Sequence, residues 1–272
     1  VALGDIDAIA FTKGPGLLGS LIVGTSFAKS LSLALDIPII DVNHMFGHVL
    51  AHFIDDDGKS KPKFPFICLT VSGGHTQIVL VRDYLEMEII GATKDDAAGE
   101  AFDKAAKMLG FEYPGGPLID KHSKSGNPFA FGFTKPRVDG YNFSFSGLKT
   151  GIMNFLNKEQ RQNMNFIEEN KSDLCASIQY TIVDMLMLQL KRVADDFGIQ
   201  EIAIAGGVSA NSGLRKRLIE DGKAFGWDVY IPRFEYCTDN AAMIAITAKF
   251  MYERGLFADQ SVTARARIPF TY

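Results

Sequence analysis

The sequence predicts an α/β protein with a largely parallel sheet. Apolar runs of strand length alternate with longer segments of helical period along most of the chain. Glycine-rich turns follow several of these runs, and one charged segment containing glycine and proline interrupts the pattern. Such alternation is typical of parallel strands that are connected by helices lying on the faces of the sheet.

The interruption divides the predicted elements into two groups. Before it, strands are predicted at residues 6–11 and 37–42 and a helix rich in small residues at 17–35. The interruption itself, residues 55–63, reads DDDGKSKPK, and we expect a domain boundary there. The elements predicted after it are strands at 66–71, 76–81 and 201–205 and helices at about 97–109, 171–197, 213–225 and 241–252.

The composition indicates a globular protein. The chain has 272 residues, of which 47% are hydrophobic and 22% charged. No stretch approaches the roughly 18 uninterrupted apolar residues of a membrane span, and the first residues lack the features of a signal peptide. We therefore expect a cytoplasmic protein without membrane contact. The three cysteines are far apart and form no CxxC pair, which indicates neither a disulfide framework nor a thiolate zinc site.

The balance of charge bears on nucleic-acid binding. A formal net charge of −4 argues against a protein that coats nucleic acid by charge alone. Two basic clusters, residues 215–217 and Arg265 with Arg267, could hold phosphates or could lie on solvated faces, and the sequence leaves both interpretations open.

A pair of histidines has the spacing of a metal site. His44 and His48 are four residues apart, which on a helix places both imidazoles on one face within reach of one cation. Two histidines that cap or pack a helix are the alternative. The metallopeptidase motif HExxH is absent because Met45 occupies the glutamate position. Two imidazoles also leave a metal in need of a carboxylate from elsewhere in the chain.

The best candidate for that carboxylate is Asp239, where a loop enters the predicted helix 241–252. Thr238 or Asp239 could also serve as an ordinary N-cap of this helix. The local sequence does not decide between the two roles.

Two glycine turns follow buried strands. The turn at residues 72–75 could cradle a phosphate with its backbone N–H groups or could be a plain tight hairpin. The turn at Gly206 and Gly207 leads into a helix and offers the amide of Asn211 to a sugar or a base. Two such turns on one α/β scaffold favour a nucleotide site.

Two carboxylates could contribute to that site. Asp103 falls among small residues of the helix 97–109, where a surface position is the alternative. Asp120 follows the glycine loop 113–117 and could accept hydrogen bonds from ribose hydroxyls. The run FSFSGLK at 143–149 could contact phosphate or nucleic acid, although its alternation is more typical of a half-buried strand.

Eight motifs follow one another along the chain: DIDAIAFTKGPGLLGSL, VNHMFGH, FPFICLTVSGGHTQIVLV, DDAAGEAFDKAAKMLG, YPGGPLID, FSFSGLKT, AGGVSAN and CTDNAAMIA. Together these motifs resemble one family, TsaD, the tRNA threonylcarbamoyladenosine transferases. The resemblance implies an actin-like ATPase (ASKHA) fold with two lobes around a nucleotide cleft. It implies residues 1–62 as the remainder of the first lobe, 63–240 as the second lobe, and 241–272 as a C-terminal helix and tail returning toward the first.

The resemblance also implies a set of site residues. One divalent metal ion, iron or zinc, would be held by His44, His48 and Asp239. No general base is implied. The contacts to threonylcarbamoyl-AMP would fall on both glycine turns and both carboxylate segments, at Thr70, Val71, Ser72, Gly73, Gly74, Asp103, Gly116, Asp120 and Asn211.

The implied reaction transfers the threonylcarbamoyl group from its adenylate to N6 of the adenosine 3′ of the anticodon in tRNAs that read codons beginning with A. The implied partners are tRNA and the bacterial proteins TsaB and TsaE, and a homo-oligomer is compatible with the sequence. An actin-like sugar kinase or ATPase would share the fold without needing the metal site. A non-catalytic scaffold paralogue would lack the metal ligands.

The sequence departs from the family pattern in two places. Phe46 stands where bacterial relatives usually have a glutamate, which removes a carboxylate beside the metal ligands. No strand and phosphate loop resembling ETSCDDT precede Val1. We therefore expect the first strands of the N-terminal lobe to be missing and the edge beside residues 6–11 to be open to self-association.

Overall fold

Two β-sheets and the helices around them make up the part of the chain that is described, residues 2–55, 58 and 60–270 of a computed structural model. The strands are β1 Ile9–Gly14, β2 Ile39–Asn43, β3 Phe66–Val71, β4 Thr76–Asp83, β5 Glu86–Ala92, β6 Glu201–Ala205 and β7 Asp228–Tyr230. The helices are α1 Leu18–Leu35, α2 His44–Leu50, α3 Ala98–Met108, α4 Gly116–Ser123, α5 Ser146–Gln160, α6 Phe166–Glu169, α7 Lys171–Phe197, α8 Ser212–Phe225, α9 Phe234–Cys237 and α10 Ala241–Glu253.

The first sheet consists of β1 and β2, which pair in parallel with Ile9 opposite Ile39. Helix α1 connects the two strands and packs on β1. Phe11, Ala28 and Ile39 form a small buried core between the helix and the strands. This is the strand, helix, strand order that the sequence predicts.

Helix α1 is long and apolar enough to cross a membrane by length and composition, with a mean hydropathy of 1.4. This is weak evidence, because the core helices of soluble proteins and signal sequences meet the same criterion. Only 17% of the helix is buried, and Val23, Phe27 and Leu33 are exposed. The apolar run is interrupted by polar residues such as Lys29. The absence of membrane contact therefore stays a prediction.

The second sheet has the strand order β5-β4-β3-β6-β7 and is mixed. Strand β3 pairs in parallel with β6, and β6 with β7, but β3 with β4 and β4 with β5 are antiparallel. The prediction of a largely parallel sheet is wrong here. The four-residue turn 72–75 joins β3 and β4 as a hairpin, and a turn this short can connect only antiparallel strands.

Both faces of the second sheet are covered, and β3 is buried along its whole length. Alternate residues of a strand point to opposite faces. Ile67 and Leu69 belong to the cluster formed with α3, α5, α7 and α8. Phe66 and Cys68 belong to a cluster on the other face, which includes Phe250 of α10.

Helices α2 and α10 lie between the two sheets. Met243 and Ile244 of α10 pack with Ile40 and Val42 of β2, whereas other residues of α2 and α10 pack on the second sheet. The helices approach each other closely at Gly47, where a Cβ atom would lie 3.2 Å from side-chain atoms of Met243 and Ile244. A glycine at this position lets the start of α10 lie beside α2.

Some elements differ from the sequence prediction. The run 143–149 does not form the half-buried strand that its alternation favours, since Phe143 makes an isolated bridge with Thr93 and Ser146 begins α5. Strand β1 starts three residues later than predicted at Ile9. Residues 56, 57 and 59 of the predicted linker lie outside the described residues, and the domain boundaries stay predictions.

Asp95 fixes the start of α5 from a distant part of the chain. Its carboxylate accepts hydrogen bonds from the hydroxyls of Ser144 and Ser146, at 2.6 and 2.7 Å, and from the backbone N–H of Phe145 at 2.7 Å. Burial alone would raise the pKa of Asp95, but these hydrogen bonds outweigh it and lower the pKa. The ionised carboxylate therefore acts as an N-cap for α5.

Replacing Asp95 with asparagine should lower the free energy of unfolding by about 1 kcal/mol at neutral pH, because a charged cap is lost. Since the pKa is lowered in the folded state, this stabilisation is present above the unfolded-state pKa of about 3.9 and is lost as the pH falls through the folded-state pKa. Urea denaturation at a series of pH values measures it. The exposed Asp139→Asn serves as control, and a pH-independent difference for Asp95→Asn would contradict the assignment.

Candidate active site

Helix α2 presents both histidines of the candidate metal site. The helix follows β2 directly, and the side chain of Asn43 caps its N-terminus by accepting a hydrogen bond from the N–H of Met45 at 3.0 Å. His44 is the first helical residue and His48 lies one turn later. Their rings meet edge to face, with centroids 4.8 Å apart, as the i, i+4 spacing predicts.

Asp239 completes the cluster from the loop between α9 and α10. Its Oδ1 atom lies 3.2 Å from Nε2 of His44 and 3.3 Å from Nε2 of His48. The Asp239 side chain is 76% exposed, whereas that of His48 is 4% exposed. Hydrogen bonds from both histidines hold the pKa of Asp239 well below its usual range. The carboxylate is therefore ionised and available to a cation.

The N-cap of α10 is Asn240, not Thr238 or Asp239. The Asn240 side chain accepts a hydrogen bond from the N–H of Met243 at 2.9 Å. The capping alternative for Asp239 is therefore wrong, since its neighbour satisfies the helix terminus. This leaves the Asp239 carboxylate free to face the histidines.

The cluster fits one divalent metal ion. His44, His48 and Asp239 each offer one ligand atom, and these atoms lie within 4.8 Å of one another. Two imidazoles and one carboxylate suit a first-row divalent cation and leave coordination positions open. Phe46, at the position where the sequence lacks a glutamate, is buried and packs on the ring of Phe270 with a centroid distance of 4.7 Å.

His75 is the last residue of the first glycine turn, and it lines one cavity together with Asn43 and Met45, the residues on either side of His44. Burial lowers the pKa of His75, and the electrostatic influence of His44 and His48 lowers it further. The Ser72–His75 turn therefore faces the start of α2, which carries two of the candidate metal ligands.

The two glycine turns meet at one edge of the second sheet. Strands β3 and β6 are parallel neighbours with Thr70 opposite Ala205, so their carboxyl ends lie side by side. Gly206 adopts a φ of +84°, and a Cβ atom there would lie 2.5 Å from the carbonyl oxygen of Val71. Only glycine satisfies both the backbone conformation and the contact.

The Ser72–His75 turn is a hairpin that is open on one side. The Ser72 hydroxyl accepts hydrogen bonds from the N–H groups of Gly74 and His75, at 3.3 and 3.0 Å. Gly73 and Gly74 do not use positive φ, and no described atom lies within 4 Å of a Cβ built on either residue. Both alternatives from the sequence are thus compatible, because a hairpin turn can also leave its backbone open to a ligand.

The two candidate carboxylates hold backbone segments around this edge. Oδ1 of Asp103 accepts hydrogen bonds from the N–H groups of Gly115 and Gly116, at 2.9 and 3.1 Å. Oδ1 of Asp120 accepts from the N–H and hydroxyl of Ser212, at 3.1 and 2.7 Å. Asp103 is therefore not a free surface residue. Both carboxylates position loops, and each has a second oxygen for a ligand.

Asn211 is tied to a residue that the sequence analysis missed. Its Oδ1 caps α8 by accepting from the N–H of Leu214 at 2.9 Å, and its Nδ2 donates to Oε1 of Gln179 at 2.6 Å. Gln179 is 8% exposed and in turn donates to the hydroxyl of Ser123 at 2.8 Å. The signal in the sequence is weak, because Gln179 is one of four buried polar residues of α7, with Ser177, Thr181 and Asp184.

The basic cluster 215–217 does not offer two free arginines to phosphate. Arg217 is paired with Asp184 at 3.1 Å and with Asp221 at 2.9 Å. Arg215 donates to backbone carbonyls of neighbouring loops. Lys216 is exposed. Of the three residues, only Lys216 therefore fits the interpretation that this cluster lies on a solvated helix face.

Comparisons with known proteins identify relatives over nearly the whole chain. A family model described as TsaD, tRNA N6-adenosine threonylcarbamoyltransferase, matches residues 1–246. Enzymes of that name from Riemerella anatipestifer and Christiangramia forsetii are 60% and 58% identical over 97% and 98% of this chain. The chain spans 77% and 78% of their lengths.

Solved structures show a similar fold at low sequence identity. Full-length HypF in its phosphate- and nucleotide-bound form superposes with a TM-score of 0.67 at 16% identity. The match covers 93% of this chain and 40% of that protein. This likeness concerns the fold alone.

Replacing His44, His48 or Asp239 with alanine should sharply reduce the bound metal, because each substitution removes one of three ligands. Metal analysis of the purified variants measures this, with Thr238→Ala as an exposed control from the same loop. The free energy of unfolding of the metal-free Asp239→Ala variant should stay within about 0.5 kcal/mol of the wild type, as is usual for exposed positions. Three variants that keep a full complement of metal would contradict the site.

Proposed function

We propose that the reaction is divided between two parts of the site, one that binds the adenylate and one that binds a metal ion. This chain belongs to the TsaD family, the tRNA N6-adenosine threonylcarbamoyltransferases. The chain is a transferase that modifies tRNA by attaching a threonylcarbamoyl group to N6 of adenosine. Its fold is that of the actin-like ATPases, as the sequence predicted.

The reaction joins N6 of the acceptor adenosine to the carbonyl carbon of the threonylcarbamoyl group. The donor is threonylcarbamoyl-AMP, and the acceptor is the adenosine 3′ of the anticodon in tRNAs that read codons beginning with A. The bond from the carbonyl carbon to the phosphate oxygen breaks and AMP leaves, while N6 loses a proton. The site must therefore hold an adenylate and orient its carbonyl toward the tRNA.

The adenylate lies at the edge where β3 and β6 end. The observation that carries this assignment is the convergence of two glycine turns there, with Gly206 against the carbonyl of Val71. Backbone N–H groups of such turns bind phosphate oxygens without obstruction by side chains. The contacting residues of the first turn are Thr70, Val71, Ser72, Gly73 and Gly74.

The adenosine portion is bound by side chains next to these turns. Asp120 and Asp103 each have one oxygen engaged by backbone N–H groups, and the other oxygen accepts hydrogen bonds from ribose hydroxyls. Asn211 keeps one N–H for the ligand after binding Gln179. Gly116 lets the ligand approach the start of α4.

The metal part of the site contains His44, His48 and Asp239. The ion would be iron, with zinc as the alternative, as the family resemblance implies, and two histidines with one carboxylate and open positions suit either metal. When bound, the ion would polarise the carbonyl oxygen under attack. The protein would orient the three ligands, and His75, which lines a cavity with Asn43 and Met45, connects this part to the adenylate turn.

The proposal includes the division of the chain into lobes. The first lobe comprises residues 1–62 and the second 63–240. The segment 241–272 returns to the first lobe, and the packing of α10 against β2 supports this return. The enzyme acts in the cytoplasm with TsaB and TsaE, and it can form a homo-oligomer through its first lobe.

The direct test of function is an assay with unmodified tRNA, ATP, threonine, bicarbonate, an adenylate-forming enzyme, TsaB and TsaE. We expect the tRNA to gain the mass of one threonylcarbamoyl group only when threonine and bicarbonate are both present. Asp239→Ala should abolish the gain, whereas Thr238→Ala should not. A tRNA that stays unmodified with the intact protein and all partners would refute the proposal.

Replacing Gly207 with valine should weaken AMP binding by about tenfold or more while changing metal binding little. No described atom lies within 4 Å of a Cβ at Gly207, so the side chain fits the free protein and obstructs only a ligand. Calorimetry with AMP and with the metal measures both constants. Gly206→Val is the matched contrast, because its Cβ would meet Val71 and should destabilise the fold itself. Equal loss of both ligands in Gly207→Val would indicate misfolding.

A further inference from the structure

The side chain of Arg215 connects the second glycine turn with the segment that precedes Asp239. Nε of Arg215 donates a hydrogen bond to the carbonyl of Ser209 at 2.7 Å. Nη2 donates to the carbonyl of Pro232 at 2.8 Å. Ser209 belongs to the 3-10 turn that directly follows Gly206, whereas Pro232 lies in the approach to α9.

Two further contacts attach the same guanidinium to α9. Nη2 of Arg215 lies 3.1 Å from Sγ of Cys237, and the guanidinium stacks on the ring of Phe234 at 4.0 Å from its centroid. Cys237 is the last residue of α9 and precedes Asp239 by two positions. Arg215 therefore holds α9 at both of its ends.

Arginine is suited to this task because its guanidinium is planar, rigid and always charged. Several N–H donors in fixed directions can satisfy acceptors on two different segments at once, and the plane can stack on an aromatic ring. A lysine ammonium has neither the span nor the stacking plane. The relative position of the two segments is therefore determined by one side chain.

We propose that Arg215 is a positioning residue that makes metal binding and adenylate binding mutually dependent. This inference rests on the proposed function, since it assigns the adenylate to the turn at Gly207 and the metal to Asp239. Arg215 contacts neither ligand. Its role is to restrict the segment before Asp239 and the turn after β6 to one arrangement.

The two ligands are coupled because each orders a segment that Arg215 contacts. A metal ion bound to Asp239 and the two histidines restricts the loop that follows α9. Through Arg215 this restriction extends to the turn that binds the adenylate, so the second ligand meets a site that is already ordered. Coupling of this kind is reciprocal, and each ligand tightens the other by the same factor.

The test uses the intact, untagged protein with Co²⁺ and AMP as probes. Calorimetry gives the Kd of AMP with and without Co²⁺, and visible absorption reports Co²⁺ affinity and coordination geometry. Arg215→Met removes the guanidinium and Arg215→Lys keeps only the charge, while Lys216→Met is the control for a neighbouring cation on the same helix. Urea denaturation confirms that each variant is folded.

In the wild type and in Lys216→Met, we expect Co²⁺ to tighten AMP binding severalfold. In Arg215→Met and Arg215→Lys, we expect both ligands to bind at least about fivefold more weakly, the Co²⁺ spectrum to change, and the mutual tightening to vanish. If both dissociation constants of the Arg215 variants stay within about twofold of the wild type, or if the mutual tightening persists in them, the role of Arg215 is refuted while the proposed function stands. Absence of AMP binding to the wild type would overturn the proposed function as well.

If the arginine variants do not fold, Phe234→Ala provides an independent test of the role of Arg215. Phe234 is 67% exposed, so its removal spares the core while it takes away the ring that supports the guanidinium. We expect both ligands to weaken in parallel and the mutual tightening to decrease. Unaltered affinities and unaltered coupling in Phe234→Ala would contradict the role of Arg215.

Discussion

Parallel pairing of β3 with β6 is the constraint on which the rest of the site depends. Thr70 lies opposite Ala205, so the chain leaves both strands at the same edge and two turns that are distant in sequence become neighbours. The pairing requires a residue without a side chain at position 206, because a Cβ there would meet the carbonyl of Val71. The turns, the carboxylates that support them and the helix caps beside them are all arranged around this edge.

The candidate metal ligands depend on a second close approach, that of α2 and α10 at Gly47. Because these helices form the layer between the sheets, the cluster of His44, His48 and Asp239 lies between the two sheets. His75, in the turn after β3, lines a cavity with Asn43 and Met45 in this region. The position of the cluster is thus a consequence of layer packing, and local sequence around the histidines contributes only their spacing.

Features with a strong local cause could be predicted from the sequence. The bounds of β3 were predicted to the residue, because both faces of that strand are buried and all its residues but Thr70 are apolar. Strand β1 was placed three residues early. Its later half includes Lys13, which does not fit an apolar pattern and is accommodated in the strand by pairing with Asp41 on β2. Strand β5 was missed because Glu86 and Glu88 face solvent. The Gln179 contacts join segments 32 and 56 residues apart, and those of Arg215 join the turn after β6 to α9; no local pattern reveals such partners.

The return of α10 to the first sheet has a consequence for how the protein is made. Helix α10 packs on β2, and the N–H of Ala258 donates to the carbonyl of Ile39 at 2.9 Å. At typical rates of synthesis these partners leave the ribosome on the order of tens of seconds after β1 and β2. During that interval α10 does not cover β1 and β2, and chaperones can bind the apolar residues that these strands expose. The candidate metal ligands His44 and His48 are likewise synthesised long before Asp239, so the full set of three is present only after residue 239 has been translated.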